Sequence, residues 1–244
     1  MSAPAPERPV AVFDLDGTLL RGDGSARLVR RLILRDWYRA VAALAFAPVL
    51  GTMLFFPIIR RYALTAVIWL ATVGLPPDRF QVLVDEFAAG HAAQANQIPV
   101  VLDRLRAHLD AGDRVVIATG CVEPLATAVC RVLGLEPVEV IAARLRQGRN
   151  FVWPSRACGM WSALPAATGP ASYGIEKVRR LTAAGITLPV AYAYTDSAAD
   201  LQLLLAATNR FVVDPGPRQL RRIQVLAGPG CTPLNSRPGW GRRP

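Results

Sequence analysis

Residues 10–20 read VAVFDLDGTLL, and this stretch decides the fold. Val10 to Phe13 form an unbroken apolar run, the pattern of a strand buried on both faces of a parallel sheet. The run ends in Asp14 and Asp16. Positions i and i+2 of extended chain point the same way, so two carboxyls are expected to converge at the strand's carboxyl end. Gly17 then permits a backbone turn.

Four similar apolar runs follow: residues 114–118 (RVVIA), 138–143 (VEVIAA), 189–194 (PVAYAY) and 210–213 (RFVV). Helical patterns over 98–111, 124–133, 175–184 and 198–207 lie between them. Alternating strands and helices predict an α/β fold, a Rossmann-like core with a parallel sheet and right-handed crossovers. Polar residues at several strand ends predict a site at the sheet's carboxyl edge.

Composition narrows the class. Of 244 residues, 52% are hydrophobic and 19% charged. Disordered, collagen-like and coiled-coil chains are excluded. The formal net charge of +10 calls for an anionic partner: nucleic acid, a membrane surface or a phosphorylated substrate. Lys177 is the single lysine among 28 Lys and Arg residues. A chain that otherwise uses arginine and keeps one lysine marks that position. The four cysteines, Cys121, Cys130, Cys158 and Cys231, are scattered and read as reduced structural thiols of a cytosolic domain. The polar, Pro-rich start MSAPAPERP does not read as a secretory signal. His91 and His108 lie in helical patterns without evident partners and read as structural.

The spacing between the first strand and the next core helix is too long for a loop. Residues 21–97 therefore read as a helical subdomain inserted after the first acidic motif. Arg21, Arg27, Arg30, Arg31, Arg35 and Arg39 lead into residues 40–59, which carry no charge. Arg60-Arg61 interrupts, and residues 62–75 are again uncharged. The first run has the length of a membrane helix and the second falls short. A single crossing would separate Asp14 from Asp196 across a bilayer. The expected arrangement is thus re-entrant, interfacial or a soluble cap, with Pro48, Gly51 and Pro57 favouring a kinked path. Flanking arginines suit the anionic cytoplasmic face of a membrane, and Trp37 and Trp69 are candidate interface anchors. Trp153, Trp161 and Trp240 read as packing residues. Residues 228–244 read as a basic, Pro/Gly-rich tail. The expected organisation is a discontinuous core (1–20 and 98–227), the insertion (21–97) and this tail.

The chemistry lies in Asp14, Asp16, Gly17 and Thr18; Thr119 and Gly120; Lys177; Asp196 and Asp200. Paired carboxyls need a cation, and a hard oxygen-ligated ion such as Mg2+ fits, with Asp14, Asp16 and Asp196 as ligands. One carboxylate can attack phosphorus, and the other can exchange a proton with the leaving oxygen. Thr119 and Gly120 suit phosphoryl oxygens. Lys177 supplies compact positive charge. Asp200 can brace Lys177 or the metal site from behind.

In this order the motifs resemble those of the haloacid dehalogenase superfamily, from Val10 to about Pro217. Two aspartates in the first motif resemble its phosphatase branch, and the insertion stands where that superfamily carries a cap. The Arg-flanked apolar insertion with VIWLATVGL, and the segments ATGCVEPLATAV, GIEKVRRL and AYAYTDSAADLQLLL, are similar to subfamily IB hydrolases of the phosphatidylglycerophosphatase C group. The resemblance implies Mg2+-dependent dephosphorylation of a phosphorylated lipid, phosphatidylglycerol phosphate, at the cytoplasmic face of the inner membrane. It implies Asp14 as nucleophile, Asp16 as acid and base, Thr119 and Lys177 on the phosphoryl group, and Asp196 on the metal. Where phosphoserine phosphatases have GDGxND, this chain has Ser197 for the Gly and Ala199 for the Asn. A soluble phosphatase for a small metabolite is the alternative. A basic lipid- or nucleic-acid-binding protein with a vestigial site is the third reading, but no required acid is missing and nucleic acid is not the expected partner.

Overall fold

The computed structural model of the protein describes residues 8–56, 59–136, 138–143, 145–146, 162–163 and 172–236. Cys158, Trp153, Trp161, Trp240, Pro57 and residues 237–244 of the tail lie outside them.

Six parallel strands form the main sheet: β1 (Val10–Phe13), β2 (Arg114–Val122), β3 (Glu139–Ala143), β6 (Val190–Thr195), β7 (Ala207–Val213) and β8 (Cys231–Leu234). A two-stranded antiparallel ladder, β4 (Leu145–Arg146) and β5 (Ser162–Ala163), stands apart from it. The sheet order is β3-β2-β1-β6-β7-β8. The α/β fold with a parallel sheet read from the sequence is therefore the fold observed.

The central strand explains the core. Ala11 and Phe13 belong to one buried cluster and Val12 to the other. In β2, Val115 and Ile117 side with Phe13, while Val116 and Ala118 side with Val12. Alternation on a strand buried on both faces produces two cores from one apolar run. α5 (Pro99–Asp110) and α6 (Glu123–Val132) contribute Leu102, Leu105 and Leu125 to the first core. α7 (Ser172–Ala183), α8 (Leu201–Leu205) and α9 (Pro217–Ala227) contribute Leu181, Leu203 and Ile223 to the second.

Three local readings are corrected. The helix expected over 198–207 is a short 3-10 turn and α8, and β7 already begins at Ala207. The tail is not all irregular: Cys231–Leu234 pairs with β7 as the edge strand. Pro233 is tolerated there because an edge strand leaves one side free of ladder bonds. His108 does have partners. Its Nδ1 lies 2.7 Å from Asp113 Oδ2 and its Nε2 3.0 Å from Tyr194 Oη.

The inserted subdomain consists of α1 (Gly24–Arg35), α2 (Trp37–Phe55), α3 (Arg60–Thr72) and α4 (Pro77–His91). It joins the core through a two-stranded hinge, and its α1 and α4 pack into one buried cluster with α6. Arg21 N–H donates to Asn96 O at 2.7 Å, and Ile98 N–H to Leu19 O at 3.0 Å. The uncharged run 40–59 does not make one long helix, since α2 ends at Phe55 and α3 starts at Arg60. Among the described residues no helix is long and apolar enough to cross a membrane. Yet α2 and α3 leave much of their apolar surface outside. Trp37 is 79% exposed, Leu44 76% and Phe55 86%, with Phe46, Tyr62 and Trp69 also exposed.

One buried cation holds the insertion's hairpin together. Arg39 is 2% exposed. It donates to the carbonyls of Ala71 and Val73 at the end of α3 and pairs with Asp36 at 3.0 Å. Carbonyls at a helix end have no partner within the helix, so this guanidinium satisfies them. Replacement by an apolar side chain of similar length, Arg39→Met, strands those carbonyls at about 1–3 kcal/mol each. Hydrogen exchange should then show α2 and α3 losing protection while β1, β2 and β6 keep theirs.

Candidate active site

β1, β2 and β6 are adjacent, so the chain segments leaving their carboxyl ends converge. Asp14 follows β1 directly, and its N–H donates to Tyr194 O of β6 at 2.9 Å. Its Oδ1 accepts from Leu15 N–H at 2.9 Å. Lys177 on α7 reaches over the sheet edge. Its Nζ lies 2.9 Å from Asp14 Oδ1 and 2.6 Å from Asp200 Oδ2. Asp200 also accepts from Thr195 Oγ1 at 2.9 Å, and Thr195 Oγ1 in turn accepts from Ser197 N–H at 3.1 Å. The result is a buried chain of alternating charge, carboxylate–ammonium–carboxylate.

Close packing accompanies it. Gly174 on α7 leaves no room for a side chain, since a Cβ there would fall 2.9 Å from Ala199 O. That lets the helix settle on the turn bearing Asp200. Gly17 has φ of 77°, a conformation that favours glycine. A Cβ at Gly17 would fall 2.1 Å from Asp196 Oδ2, so Asp196's carboxylate occupies the space beside the first motif's turn. Gln219 on α9 donates to the backbone carbonyl of Asp196 and fixes that turn from outside.

Thr119 is buried in β2, just past the stretch paired with β1, and its Oγ1 accepts from Cys121 N–H at 3.0 Å. Its hydroxyl hydrogen stays available to an incoming oxygen. Gly120 is exposed beside it. Asp16 is turned toward the insertion, with Oδ1 accepting from Gly24 N–H, the first residue of α1, at 2.8 Å.

Electrostatics set these acids apart. Burial raises Asp14 from 3.8 to about 6, against the pull of Lys177. Burial raises Asp16 to about 7 and Asp196 to about 7, with Asp14's charge adding to both. Burial pulls Lys177 down, but Asp14 and Asp200 outweigh it and hold the ammonium charged. Three carboxyls whose ionisation burial makes costly form the donor chemistry that a hard divalent cation would satisfy. The site residues thus fit Mg2+. Among the described residues, no group of three His, Cys, Asp or Glu is already drawn together around an ion position. Gly24 draws Asp16 aside, and Lys177 occupies one oxygen of Asp14.

The sequence pattern of the haloacid dehalogenase-like hydrolases matches residues 11–205. The chain belongs to this family. By that membership it is a hydrolase. The fold is shared with solved structures. A protein of unknown function from Bordetella pertussis Tohama I is similar at 21% identity and TM-score 0.66, over 95% of this chain and 100% of that one. A phosphoserine phosphatase in apo form is similar at 14% identity and TM-score 0.54, covering 93% of this chain and 94% of its own. Cytosolic 5'-nucleotidase IIIB bound to cytidine is similar at 11% identity and TM-score 0.57, covering 93% and 81%.

Of the residues singled out in the sequence, the structure brings Asp14, Lys177 and Asp200 into contact and sets Asp16, Thr119 and Asp196 around them. Sequence reasoning missed Thr195, Gly24 and Gln219. Thr195 stands directly before Asp196 and was open to notice. Nothing in the linear sequence marks Gly24 or Gln219 as neighbours of the acids.

The raised acids make stability depend on pH. Their folded-state values lie above the ordinary 3.8 of the unfolded chain. The folded protein therefore binds more protons between about pH 4 and 7, and stability falls as pH rises through that window. Mg2+ bound to the ionised acids would reverse the loss. Thermal melts are expected to show a larger Mg2+-induced rise in Tm at pH 7.5 than at pH 5, and Asp196→Asn should abolish the difference.

Proposed function

We propose that the chain is a Mg2+-dependent phosphomonoesterase that works through an aspartyl-phosphate and acts on phosphatidylglycerol phosphate at the cytoplasmic face of the inner membrane. The observation that carries the reaction is Asp14 held against Lys177, with Asp16 beside it. The observation that carries the lipid is the exposed apolar surface of α2 and α3.

In the first step an oxygen of Asp14 attacks phosphorus as the bond from phosphorus to the substrate oxygen breaks. Asp16, raised to about 7 by burial, is poised to give its proton to that leaving oxygen. Lys177 holds Asp14 in place and offers charge to the phosphoryl oxygens, as do the Thr119 hydroxyl and Gly120 N–H. In the second step Asp16 takes a proton from water as the water oxygen attacks phosphorus. The bond to Asp14 breaks, phosphate departs and the carboxylate is regenerated. Asp14 and Asp196, with Asp16 near, would hold Mg2+, which would supply positive charge against the charge that builds on the transferring group. Asp200 and Thr195 keep Lys177 aimed at Asp14.

An exposed apolar patch of this size marks an interaction surface. Its neighbour α1 presents Arg27, Arg30, Arg31 and Arg35 to solvent. Apolar side chains with adjacent arginines match the interface of an anionic membrane. Trp37 and Trp69 are suited to the headgroup level. No described helix is long and apolar enough to cross a membrane, so the membrane contact proposed is interfacial. The alternative, a phosphatase for a small soluble metabolite with the insertion as a plain cap, is supported by the packing of α1 and α4 into one buried cluster with α6 of the core.

Phosphate release from phosphatidylglycerol phosphate in mixed micelles should exceed release from phosphoserine and glycerol phosphate. Flotation should carry the protein up with anionic vesicles and leave it behind with zwitterionic ones. Preference for a soluble ester and no vesicle binding would establish the alternative. Asp14→Asn should abolish turnover on every substrate. Lys177→Arg should lower kcat by about 100-fold or more, because a planar guanidinium does not fit where two carboxylates grip a compact ammonium.

A further inference from the structure

Asp16 belongs to the core, yet the N–H that holds it belongs to the insertion. Gly24, at the start of α1, donates to Asp16 Oδ1 at 2.8 Å. Behind Gly24 stands His91, the last residue of α4. A Cβ on Gly24 would fall 2.9 Å from His91 Nε2 and 3.1 Å from Asp16 Oδ1. Imidazole edge, glycine and carboxylate are therefore packed in series.

His91 is 5% exposed, and its Nε2 has no hydrogen-bond partner among the described residues. A buried ring nitrogen without a partner costs free energy. A purely packing role at this place would be met better by an apolar ring. The imidazole is nonetheless held firmly. It stacks on Phe87 at 5.3 Å and 19°, and its backbone carbonyl accepts from Asn96 Nδ2 at 3.1 Å. Asn96 is part of the hinge, where its carbonyl accepts from Arg21 N–H at 2.7 Å. The end of α4, the start of α1 and the hinge thus meet at one point, directly behind the acid of the first motif. The N-terminus of α1 is tied to the core a second time, as Val122 N–H approaches Ser25 Oγ at 3.4 Å.

We infer that His91 is a positioning residue for Asp16, acting through Gly24: the imidazole edge fixes the glycine whose N–H sets the direction of the acid's carboxyl. The insertion then does more than cover the site. It sets whether the proton donor faces the leaving oxygen. This rests on the reading of Asp16 as general acid, and a comparison of leaving groups separates the two.

The experiment measures kcat and KM with Mg2+ for 2,4-dinitrophenyl phosphate, whose leaving group departs without a proton, and for phenyl phosphate, whose leaving group needs one. Asp16→Asn is the reference and should lose far more on the phenyl ester. Gly24→Ala, whose methyl meets both His91 and Asp16, should lose about tenfold or more in kcat on the phenyl ester and about twofold or less on the dinitrophenyl ester, with KM little changed. His91→Ala should show the same pattern more weakly. Should Gly24→Ala fail to fold, His91→Ala alone carries the comparison. The double variant Gly24→Ala/His91→Ala gives the methyl the space the ring vacated, and should recover kcat on the phenyl ester relative to Gly24→Ala. Equal losses on the two esters in the Gly24 and His91 variants, or a double variant no better than Gly24→Ala, would overturn the positioning role while leaving the acid role standing. Equal losses on the two esters in Asp16→Asn would overturn both.

Discussion

The structure turns on one ammonium group. Lys177 is buried between Asp14 and Asp200 and satisfies a carboxylate on either side. Taken singly, each of these charges would be costly to bury; removing one partner would leave an uncompensated charge in low dielectric. The three therefore require one another, and in doing so they tie three parts of the chain together: the segment after β1, α7, and the turn after β6. The sheet order serves this contact. With β6 beside β1, Asp14 and Asp200 emerge as neighbours, and α7 can lie across the gap between them. Gly174 lets α7 come close enough for the lysine to reach both.

Much of this was legible in the sequence because it obeys short-range rules. A buried parallel strand is an apolar run, and its end is where polar residues gather. That rule located Asp14, Thr119 and Asp196 from pattern alone, and the rarity of lysine located Lys177. The parts that were not legible depend on contacts between distant segments. Gly24 looks like any glycine before a helix until its N–H is seen on Asp16. Arg39 is one arginine among many in a basic stretch, and only the packing of α1, α2 and α3 buries it. β8 was hidden by Pro233 and the surrounding glycines, which argue against a strand except at a sheet edge. His108 seemed unpartnered because Tyr194 is remote in sequence, although Asp113 was near enough to consider.

The insertion follows a different logic from the core. In the core, apolar residues face inward on both sides of the sheet. In α2 they face outward as well, and the helix has little distinction between its faces. Propensity and packing explain why it is helical; they do not explain why it keeps Leu44, Phe46 and Phe55 in water. The difference is confined to α2 and α3, since α1 and α4 bury apolar side chains together with α6 of the core. The hinge at Leu19–Arg21 and Asn96–Ile98 means that whatever the apolar surface meets is mechanically close to Asp16.

The single lysine has a practical side. Apart from the α-amino group, this chain has one primary amine, and it lies within the candidate active site. Amine-directed reagents, which on most proteins decorate the whole surface, would here find one side chain, shielded by two carboxylates and the walls of the site. A lysine-specific protease would have a single cleavage position, in the middle of α7. Labelling or cutting at Lys177 would thus report directly on whether the site is closed, opened or unfolded, with no background from other side chains.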